Sequence, residues 1–325
     1  MNPAYPFNLI RPEFDGPLPD PAVLSRRPGV TADRSLATEA PFFIPGEALV
    51  TAMNAAIAVA EPLLITGEPG TGKTQAAYYA AHRLGTRVFH FQVKSETTAG
   101  ELLYHFDTVR YFHDAHLANI REDSAPLDKT RYVEPRALWQ AFDYGREQGR
   151  PAVLLIDEID KAPRDFPNDL LHELDQMEFL VVETGERIRP ERTLAPILFI
   201  TSNSERRLPE PFLRRCVYHH IAFDPEVVRR AVAVRAGQFD PLGPELTDLA
   251  IRAFLAIRRR SLRKRPATGE LLVWLRVLAL AMGVERSRLE QALKDQDLTR
   301  MPYLGALLKD HKDLEETIGG GAAGG

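Results

Sequence analysis

A glycine-rich segment in the first quarter of the chain has the residue types needed to hold a triphosphate. It reads ITGEPGTGKT at residues 65–74 and fits the pattern G-x-x-x-x-G-K-[ST]. The glycines let the backbone turn so that its N–H groups point at phosphate oxygens, and the lysine can reach the β- and γ-phosphates. The threonine hydroxyl is suited to ligate Mg²⁺. The predicted nucleotide-binding residues are Gly67, Glu68, Pro69, Gly70, Thr71, Gly72, Lys73 and Thr74.

Two acidic residues end the apolar segment AVLLIDEID at residues 152–160. The apolar residues 153–156 predict a buried strand that carries Asp157 and Glu158 to its carboxyl end. Asp157 would hold the Mg²⁺ shell, whereas Glu158 would polarise the water that attacks the γ-phosphate, because hydrolysis depends on an oriented nucleophile. Asp160 is the next candidate for the role of Glu158, and an acidic helix cap is the simpler alternative.

A third apolar segment, ILFITSN at residues 197–203, also ends in a polar side chain. Asn203 could hydrogen-bond the γ-phosphate or the attacking water, and a turn asparagine is the competing interpretation. For the glycine-rich segment the alternative is an ordinary turn before a helix. The apolar run before it and the alanine-rich segment after it favour phosphate binding, because that function requires a strand and a helix at these places.

Short apolar runs alternate with helical patterns around these motifs. The runs lie at residues 63–66, 87–93, 153–157, 197–201 and 218–223. Amphipathic patterns separate them at residues 72–84, 135–147 and 167–177. This alternation predicts an α/β fold with a parallel sheet. From about residue 224 the strand signals stop, and a second, all-helical domain is predicted by helical periodicity at residues 225–238, 244–260 and 268–282.

The same pattern divides the chain into four parts. We expect a proline-rich arm at residues 1–45, an α/β core at 46–224, a helical domain at 225–313 and a flexible tail at 314–325. Pro17, Pro19 and Pro21 alternate in the arm, which favours extended backbone over helix. A flexible lead-in and an ordered arm laid over the core are equally consistent with this composition.

The composition is that of a globular protein and excludes several kinds of site. Of the 325 residues, 26% are charged, and the net charge of −4 provides no general attraction to nucleic acid or anionic membranes. Cys216 is the only cysteine, which excludes an intrachain disulfide and a cysteine-rich zinc site. No segment reaches the roughly 18 apolar residues of a membrane span, and the N-terminal residues lack the apolar centre of a signal peptide. We therefore expect a cytoplasmic protein.

Together, the three motifs resemble those of the AAA+ ATPases, and in particular those of the MoxR branch. The resemblance spans residues 43–278 and is carried by GEPGTGKT, LLIDEIDKAPRDFPNDLLHELD and TSNSERRLPEPFLRRC. The run Leu-Pro-Glu-x-x-Leu-x-Arg in the last segment is similar to the MoxR form. The resemblance implies ATP binding, Mg²⁺-dependent hydrolysis and a P-loop α/β core with a C-terminal helical lid. It also implies a homo-oligomeric ring, usually a hexamer, with nucleotide between neighbouring subunits.

The resemblance assigns roles to arginines as well. The arginine that enters the neighbouring subunit's site in this family falls on Arg215, and a guanidinium suits the charge on a transferring phosphoryl group. Arg214 stands where the family usually has an acid, so it competes for this role; the alternative for both is a surface helix end. For the lid arginine that senses the γ-phosphate, the segment RRRSLRKR offers Arg265 first and Arg263 second. A solvated basic linker is the alternative there, and the lack of aromatic residues disfavours a nucleic-acid patch.

Two further segments resemble known parts of this clade. FLVVETGERIR at residues 179–189 predicts a hairpin that is similar to the pre-sensor hairpin, and residues 97–116 would form the neighbouring insertion. The insertion contains aromatic residues that could contact a partner, although core packing is the favoured role for most of them: Tyr104, Phe106, Tyr111 and Phe112. His113 and His116 have no cysteine or acid at a zinc spacing, which disfavours a metal site.

The resemblance implies a motor that remodels or matures a partner protein, usually one with a von Willebrand factor A domain. Two alternatives stay open. A regulatory switch in a signalling or defence complex would hydrolyse ATP slowly, whereas a motor would turn over at roughly 1 s⁻¹ with partner stimulation. A DNA-directed motor would be stimulated by DNA and would bind it in a salt-dependent manner.

Overall fold

The structure is a computed structural model that describes residues 36–120, 127–203 and 207–319. It divides into two compact units. Among the described residues, the core unit comprises those within 45–68 and 72–222, and the helical unit comprises residues 36–44, 69–71 and 223–319. Most of the predicted proline-rich arm, residues 1–35, lies outside the described residues, so its order stays a prediction.

The core unit is built on a five-stranded parallel sheet. Its strands are β1 Leu63–Gly67, β2 Val88–Gln92, β5 Val153–Asp157, β8 Ile197–Ser202 and β9 Val217–Ile221. They lie side by side in the order β2-β5-β8-β1-β9, and every neighbouring pair is parallel. All residues of β1 and β5 are buried, as expected for strands covered on both faces. The predicted parallel α/β fold is therefore confirmed.

Helices connect these strands because parallel strands need crossover connections. The helices of the core unit are α2 Glu47–Val59, α3 Lys73–Leu84, α4 Gly100–Leu103, α5 Thr108–Ile120, α6 Ala137–Gln148, α7 Phe166–Asp169, α8 Leu171–Gln176 and α9 Glu210–Leu213. Alanines at positions 76, 77, 80 and 81 of α3 are buried, and such small side chains allow a helix to approach a sheet closely. The single helix predicted at residues 167–177 is instead two short helices that meet at Leu170.

Two small antiparallel sheets, each of two strands, complete the core unit. β3 Tyr104–Phe106 pairs with β4 Val133–Pro135. β6 Phe179–Val181 pairs with β7 Glu186–Ile188, which confirms the hairpin predicted at residues 179–189. The Tyr104 hydroxyl joins the two small sheets, because it donates a hydrogen bond to Glu183 (2.8 Å) and accepts one from the backbone N–H of Val182 (3.1 Å).

The aromatic residues of the insertion divide into two groups. Phe106 and Tyr111 pack against each other and against Tyr132, and the Tyr104 ring stacks on Phe179. Phe112 is exposed. Packing is thus the role of three of the four residues that we considered as contacts to a partner.

The helical unit is formed by helices around a separate apolar core. Its helices are α1 Leu36–Glu39, α10 Pro225–Ala233, α11 Gly243–Arg258, α12 Thr268–Asp295, α13 Leu304–Leu307 and α14 His311–Gly319. Trp274, Phe239 and Phe254 are fully buried at its centre. Arg235 follows α10 and donates hydrogen bonds to the carboxylate of Glu39 and the carbonyl of Phe42, which places α1 in this unit.

Two boundaries in the helical unit differ from the sequence-based expectation. The helix predicted at residues 268–282 continues to Asp295 as α12, with a kink at Glu285. The tail expected to be flexible from residue 314 is helical as far as Gly319, within α14. The reason is burial: Thr317 is buried and Leu314 packs against the core of the unit, so this helix is held by tertiary contacts.

Candidate functional site

The predicted nucleotide-binding segment connects the end of β1 to the start of α3. Gly70 and Gly72 have φ values of 76° and 92°, a region that residues with side chains rarely adopt. Gly72 is followed at once by α3, whose first residue is Lys73. The helix N-terminus therefore contributes backbone N–H groups and the positive end of its dipole next to the glycines, an arrangement that suits an anion.

The Lys73 ammonium lies folded over the glycine-rich segment. Its Nζ donates hydrogen bonds to the carbonyl oxygens of Gly67 (2.9 Å) and Glu68 (3.0 Å), and the residue is only 6% exposed. Burial lowers the pKa of Lys73 below its ordinary value, and the nearby carboxylates of Asp160 and Asp157 only partly offset this effect. A bound phosphate would favour the charged ammonium, because it brings negative charge to a partly desolvated cation.

Asp157 stands at the carboxyl end of β5 and is the centre of a buried hydrogen-bond network. Its carboxylate accepts hydrogen bonds from the hydroxyls of Thr74 (3.0 Å) and Thr201, and His90 Nε2 lies 3.2 Å from Oδ2. Although burial disfavours the charged form, the hydrogen bonds from His90, Thr201 and Thr74 outweigh it and hold the pKa of Asp157 below its usual value. The carboxylate is therefore ionised at neutral pH.

Thr74 and Asp157 together fit the requirements of Mg²⁺. This cation prefers oxygen ligands, retains several waters and takes only one or two protein ligands beside the phosphates of a nucleotide. A hydroxyl and an ionised carboxylate in direct contact supply two such oxygens. Within residues 36–120, 127–203 and 207–319 there is no group of three or more His, Cys, Asp or Glu side chains that could hold a metal alone.

Sequence reasoning did not identify His90 or Tyr78 as part of this site. His90 Nδ1 lies 3.2 Å from the Tyr78 hydroxyl, so the imidazole is held between a phenol and Asp157. His90 comes from β2, which is paired with β5 in parallel register. The available signal was a histidine inside the otherwise apolar run VFHF, but only the strand pairing shows which side chain it meets.

Glu158 follows Asp157 in a backbone conformation that costs energy. Its φ and ψ are 60° and 48°, the left-handed region, where a residue other than glycine is strained. Its backbone N–H donates to the Thr201 hydroxyl (2.9 Å). The carboxylate accepts hydrogen bonds from Gln92 Nε2 (2.7 Å), Lys161 Nζ (2.6 Å) and Asn203 Nδ2 (3.2 Å). Four contacts therefore fix both the backbone and the side chain of Glu158.

Asn203 and Asp160 form the other side of this arrangement. The backbone N–H of Asn203 donates to Asp160 Oδ1 (3.1 Å), while the Asn203 amide reaches Glu158. Asp160 is 2% exposed, so in this structure it acts as a buried acceptor that positions Asn203. A cleft of about 610 Å³ opens beside these residues and is lined by Gln92, Val93, Lys94, Ser95, Glu158, Asp160 and Lys161.

Arg214 and Arg215 are the two candidates for the arginine that enters a neighbouring subunit's nucleotide site, which is called the arginine finger. Both lie after α9, and they differ in their contacts. Arg215 Nε donates to Asp175 Oδ2 (2.6 Å) and Nη1 donates to the carbonyl of Pro211 (2.9 Å). Arg214 pairs with Glu210 on α9. Within the described part of the chain, neither guanidinium hydrogen-bonds the phosphate-binding segment or the acidic strand.

The candidate sensor arginine, Arg265, is exposed in the segment between α11 and α12 of the helical unit. The buried carboxylate of Asp313 accepts hydrogen bonds from the backbone N–H groups of Arg263 and Lys264, both at 2.9 Å. This double contact fixes the backbone on the N-terminal side of Arg265.

One family model matches the part of the chain that contains this site. Residues 62–216, a little under half of the chain, match the family described as the AAA domain, dynein-related subfamily. The sheet, the phosphate-binding segment and the acidic strand all lie within these residues. The core is thus an AAA+ P-loop α/β fold, followed by a helical C-terminal region. The finer assignment to the MoxR branch stays a prediction.

Other comparisons add little to this result. A solved structure from Cytophaga hutchinsonii, named as a candidate ATPase, is 12% identical, with a TM-score of 0.39 over 87% of this chain and 83% of that one. A similarity at this level supports no conclusion about function. No match was found among curated proteins. In the part of the chain that the structure describes, no helix has both the length and the apolar character needed to cross a bilayer.

Proposed function

We propose that this chain is an Mg²⁺-dependent ATPase. The observation that supports this most strongly is the hydrogen-bond network at the carboxyl ends of β1, β5 and β8, in which Thr74, Asp157, Glu158 and Asn203 are joined directly or through Thr201. Lys73 lies close enough to Asp157 and Glu158 to interact with them electrostatically. Ligands of open parallel sheets bind at this edge. The residue types are those that phosphate, Mg²⁺ and an attacking water require.

Each residue has a distinct part in the proposed hydrolysis. Backbone N–H groups of the glycine-rich segment and Lys73 would bind the phosphates, and Thr74 and Asp157 would hold Mg²⁺, which when bound would neutralise phosphate charge. Glu158, with Asn203 beside it, would orient the water that attacks the γ-phosphorus. The new P–O bond forms as the bond to the β-phosphate oxygen breaks, and the proton of the water leaves toward Glu158. The products are ADP and phosphate.

The experiment compares nucleotide binding with turnover in two variants. Lys73→Ala should lose ATP binding, because the loop then lacks its only buried cation. Glu158→Gln should bind ATP normally and lose turnover by on the order of 10²–10⁴-fold, the usual contribution of general base catalysis. Normal turnover in Glu158→Gln would overturn the assignment of Glu158 and would make Asp160→Asn the next variant to measure.

At a finer level, we propose that the chain forms a homo-oligomeric ring, taken to be a hexamer, and acts as a MoxR-like chaperone on a partner protein with a von Willebrand factor A domain. The sequence resemblance supports this proposal, as do the two exposed arginines, which pair with Glu210 and Asp175 and make no hydrogen bond to the described residues of the phosphate-binding segment. Mass measurement with and without a non-hydrolysable ATP analogue tests the ring. A monomer under both conditions at high protein concentration would contradict it.

The partner is tested separately. Affinity purification with Glu158→Gln, which should hold ATP without hydrolysing it, ought to retain the partner, and Lys73→Ala is the matched control that should not. A regulatory switch would instead show slow turnover with no stimulation by the retained protein. A DNA-directed motor would show turnover stimulated by DNA.

A further inference from the structure

Arg215 is held in a way that leaves part of its guanidinium available. Nε donates to Asp175 and Nη1 donates to Pro211, whereas Nη2 has no hydrogen-bond partner among the described residues. A guanidinium has five N–H donors in a rigid plane, so fixing one edge also fixes the direction of the others. The contacts to Asp175 and Pro211 therefore set the orientation in which Nη2 can meet an anion.

The elements that bring Asp175 and Arg215 together are anchored in the core. Asp175 is on α8 next to Leu174, which is 7% exposed, and Arg215 follows α9, where Phe212 is 1% exposed. Leu174 and Phe212 belong to the same buried apolar cluster. The two charged residues are 40 positions apart in the sequence, so their contact is set by tertiary packing. A guanidinium held on such a rigid base is positioned more precisely than one on a loop.

The ion pair contributes little to stability. The side chains of Arg215 and Asp175 are 44% and 36% exposed, and solvent-exposed pairs of this kind are strongly screened. Arg214 shows what an arginine does without a tertiary partner, because it pairs with Glu210 one turn back and is 77% exposed. The contact with Asp175 thus distinguishes Arg215 from its neighbour by fixing its direction.

We infer that Asp175 is a positioning residue that orients Arg215 toward the triphosphate bound by a neighbouring copy of this chain. The inference rests on the proposed ATPase ring and goes beyond it, because it names the residue that makes one of two adjacent arginines effective. Asp175 holds Nε, and Nη2 stabilises charge on the phosphoryl group in transfer. An arginine that is already oriented loses less freedom when it binds an anion.

The test measures turnover of the full chain at saturating ATP for Asp175→Ala, Asp175→Asn and Asp169→Ala. Asp175→Ala should lower kcat by on the order of 10–100-fold, the cost of a misplaced catalytic group, with KM nearly unchanged. Asp175→Asn should keep most of the activity, because the amide oxygen still accepts from Nε. Asp169 is an exposed acid just before α8 and serves as the matched control, which should leave kcat unchanged. Equal losses for the Asn and Ala variants, or an increase in kcat for Asp175→Ala, would overturn the inference.

A double variant separates positioning from a merely structural role. If Asp175 acts through Arg215, Asp175→Ala combined with Arg215→Ala should be no slower than Arg215→Ala alone. Multiplied losses would contradict the inference. A second readout is complementation: subunits with Asp175→Ala should regain turnover when mixed with Lys73→Ala subunits, which lack a nucleotide site but have an intact Arg215. No recovery, in mixtures shown to assemble together, would also contradict it.

These measurements distinguish this inference from the proposed function itself. Absence of ATP hydrolysis by the unaltered chain would contradict the proposed ATPase activity. Normal turnover in Arg215→Ala would contradict the proposed role of Arg215 as the arginine finger. A large loss in Arg215→Ala together with normal turnover in Asp175→Ala would leave the ATPase and the finger in place and reject only the role of Asp175.

Discussion

The core unit contains two groups of charged residues, and they differ in how far their contacts are complete within one chain. Around the phosphate-binding segment, Lys73 and Asp157 are 6% and 4% exposed, and both take part in several hydrogen bonds. After α9, Arg214 and Arg215 are exposed, and each pairs with a single carboxylate.

The difference follows from the dielectric surroundings. A charge in the interior must be fully hydrogen-bonded, because an unsatisfied charge there is very costly, whereas an exposed charge remains hydrated at little cost. The buried group is therefore organised before any ligand arrives. The exposed arginines can exchange water for an anion presented by another molecule. The proposed nucleotide site between neighbouring subunits requires both: a preorganised phosphate-binding group in one chain and an available arginine in the next.

The largest effect is expected at the exposed group. Arg215→Ala should lower turnover by on the order of 10³-fold, the contribution of an arginine supplied in trans, while ATP binding persists. Arg214→Ala is the matched control and should cost much less, because Arg214 pairs with Glu210 on α9, whereas Arg215 is oriented by Asp175. Steady-state hydrolysis and equilibrium ATP binding check both statements. A larger loss in Arg214→Ala would show that Arg214 is the finger.

Mixing defective subunits tests whether that effect crosses a subunit boundary. Arg215→Ala subunits keep an intact nucleotide site, and Lys73→Ala subunits keep an intact finger. Hydrolysis should partly return when the two are combined, and no recovery in proven mixed assemblies would place the action of Arg215 within its own chain.

A smaller effect is expected from substitution of His90 and Tyr78, because His90 contacts Asp157 of the buried group and Tyr78 contacts His90. His90→Phe should weaken Mg²⁺ binding to the ATP-bound protein by on the order of 10–100-fold, as is usual when a residue that orients a metal ligand is removed. Tyr78→Phe removes only the hydroxyl behind His90 and should weaken it less. Titration of turnover with Mg²⁺ at fixed ATP measures both. An unchanged Mg²⁺ requirement in His90→Phe would show that Thr74 and Thr201 orient Asp157 without help.

The strands and motif residues that depend on local sequence pattern were predicted best. β1, β5 and β8 were found within one residue at each end, because fully buried strands are continuous apolar runs that end at glycine, acid or polar residues. The motif residues could then be placed together at one edge of the sheet. Parallel strands that lie side by side bring their carboxyl ends together, so Asp157 and Asn203 could be placed at the same edge without any information about side chains.

What depends on pairing between distant elements could not be predicted. Gln92 and His90 reach Glu158 and Asp157 only because β2 lies beside β5 in one particular register, and that register is set by packing of the whole sheet. The contact of Asp175 with Arg215 likewise needs the positions of α8 and α9. Gly283 resembles a helix end, yet α12 continues past it, because apolar residues beyond it, such as Leu289, are buried in the helical unit.

The contrast between buried and exposed groups also predicts stability. Thr201→Val should lower the free energy of unfolding by about 1–3 kcal/mol, because the buried Asp157 carboxylate and the Glu158 N–H both lose a partner. Glu210→Ala, which removes the exposed partner of Arg214, should change it by less than about 1 kcal/mol. Urea unfolding of both variants measures this. A loss of unfolding free energy in Glu210→Ala as large as that in Thr201→Val would contradict the contrast between the buried and the exposed charged groups.

The smallest effect is expected in the pH dependence of the unfolding free energy that Thr201→Val loses. The pKa of Asp157 is lowered in the folded chain because the hydrogen bonds from His90, Thr201 and Thr74 outweigh burial. A carboxylate whose pKa is depressed by folding stabilises the fold above its unfolded pKa of about 3.9, and this contribution is lost as the pH falls through the folded value. Thr201→Val removes one of these hydrogen bonds and so reduces the contribution.

The difference in unfolding free energy between the unaltered chain and Thr201→Val should therefore be constant from about pH 5 to 7 and should shrink below about pH 4. The unsatisfied Glu158 N–H costs the same at every pH, so a residual difference should persist at the lowest pH. A difference that stays constant down to pH 3 would mean that the Thr201 hydroxyl supports the Glu158 backbone alone and does not stabilise the charge of Asp157.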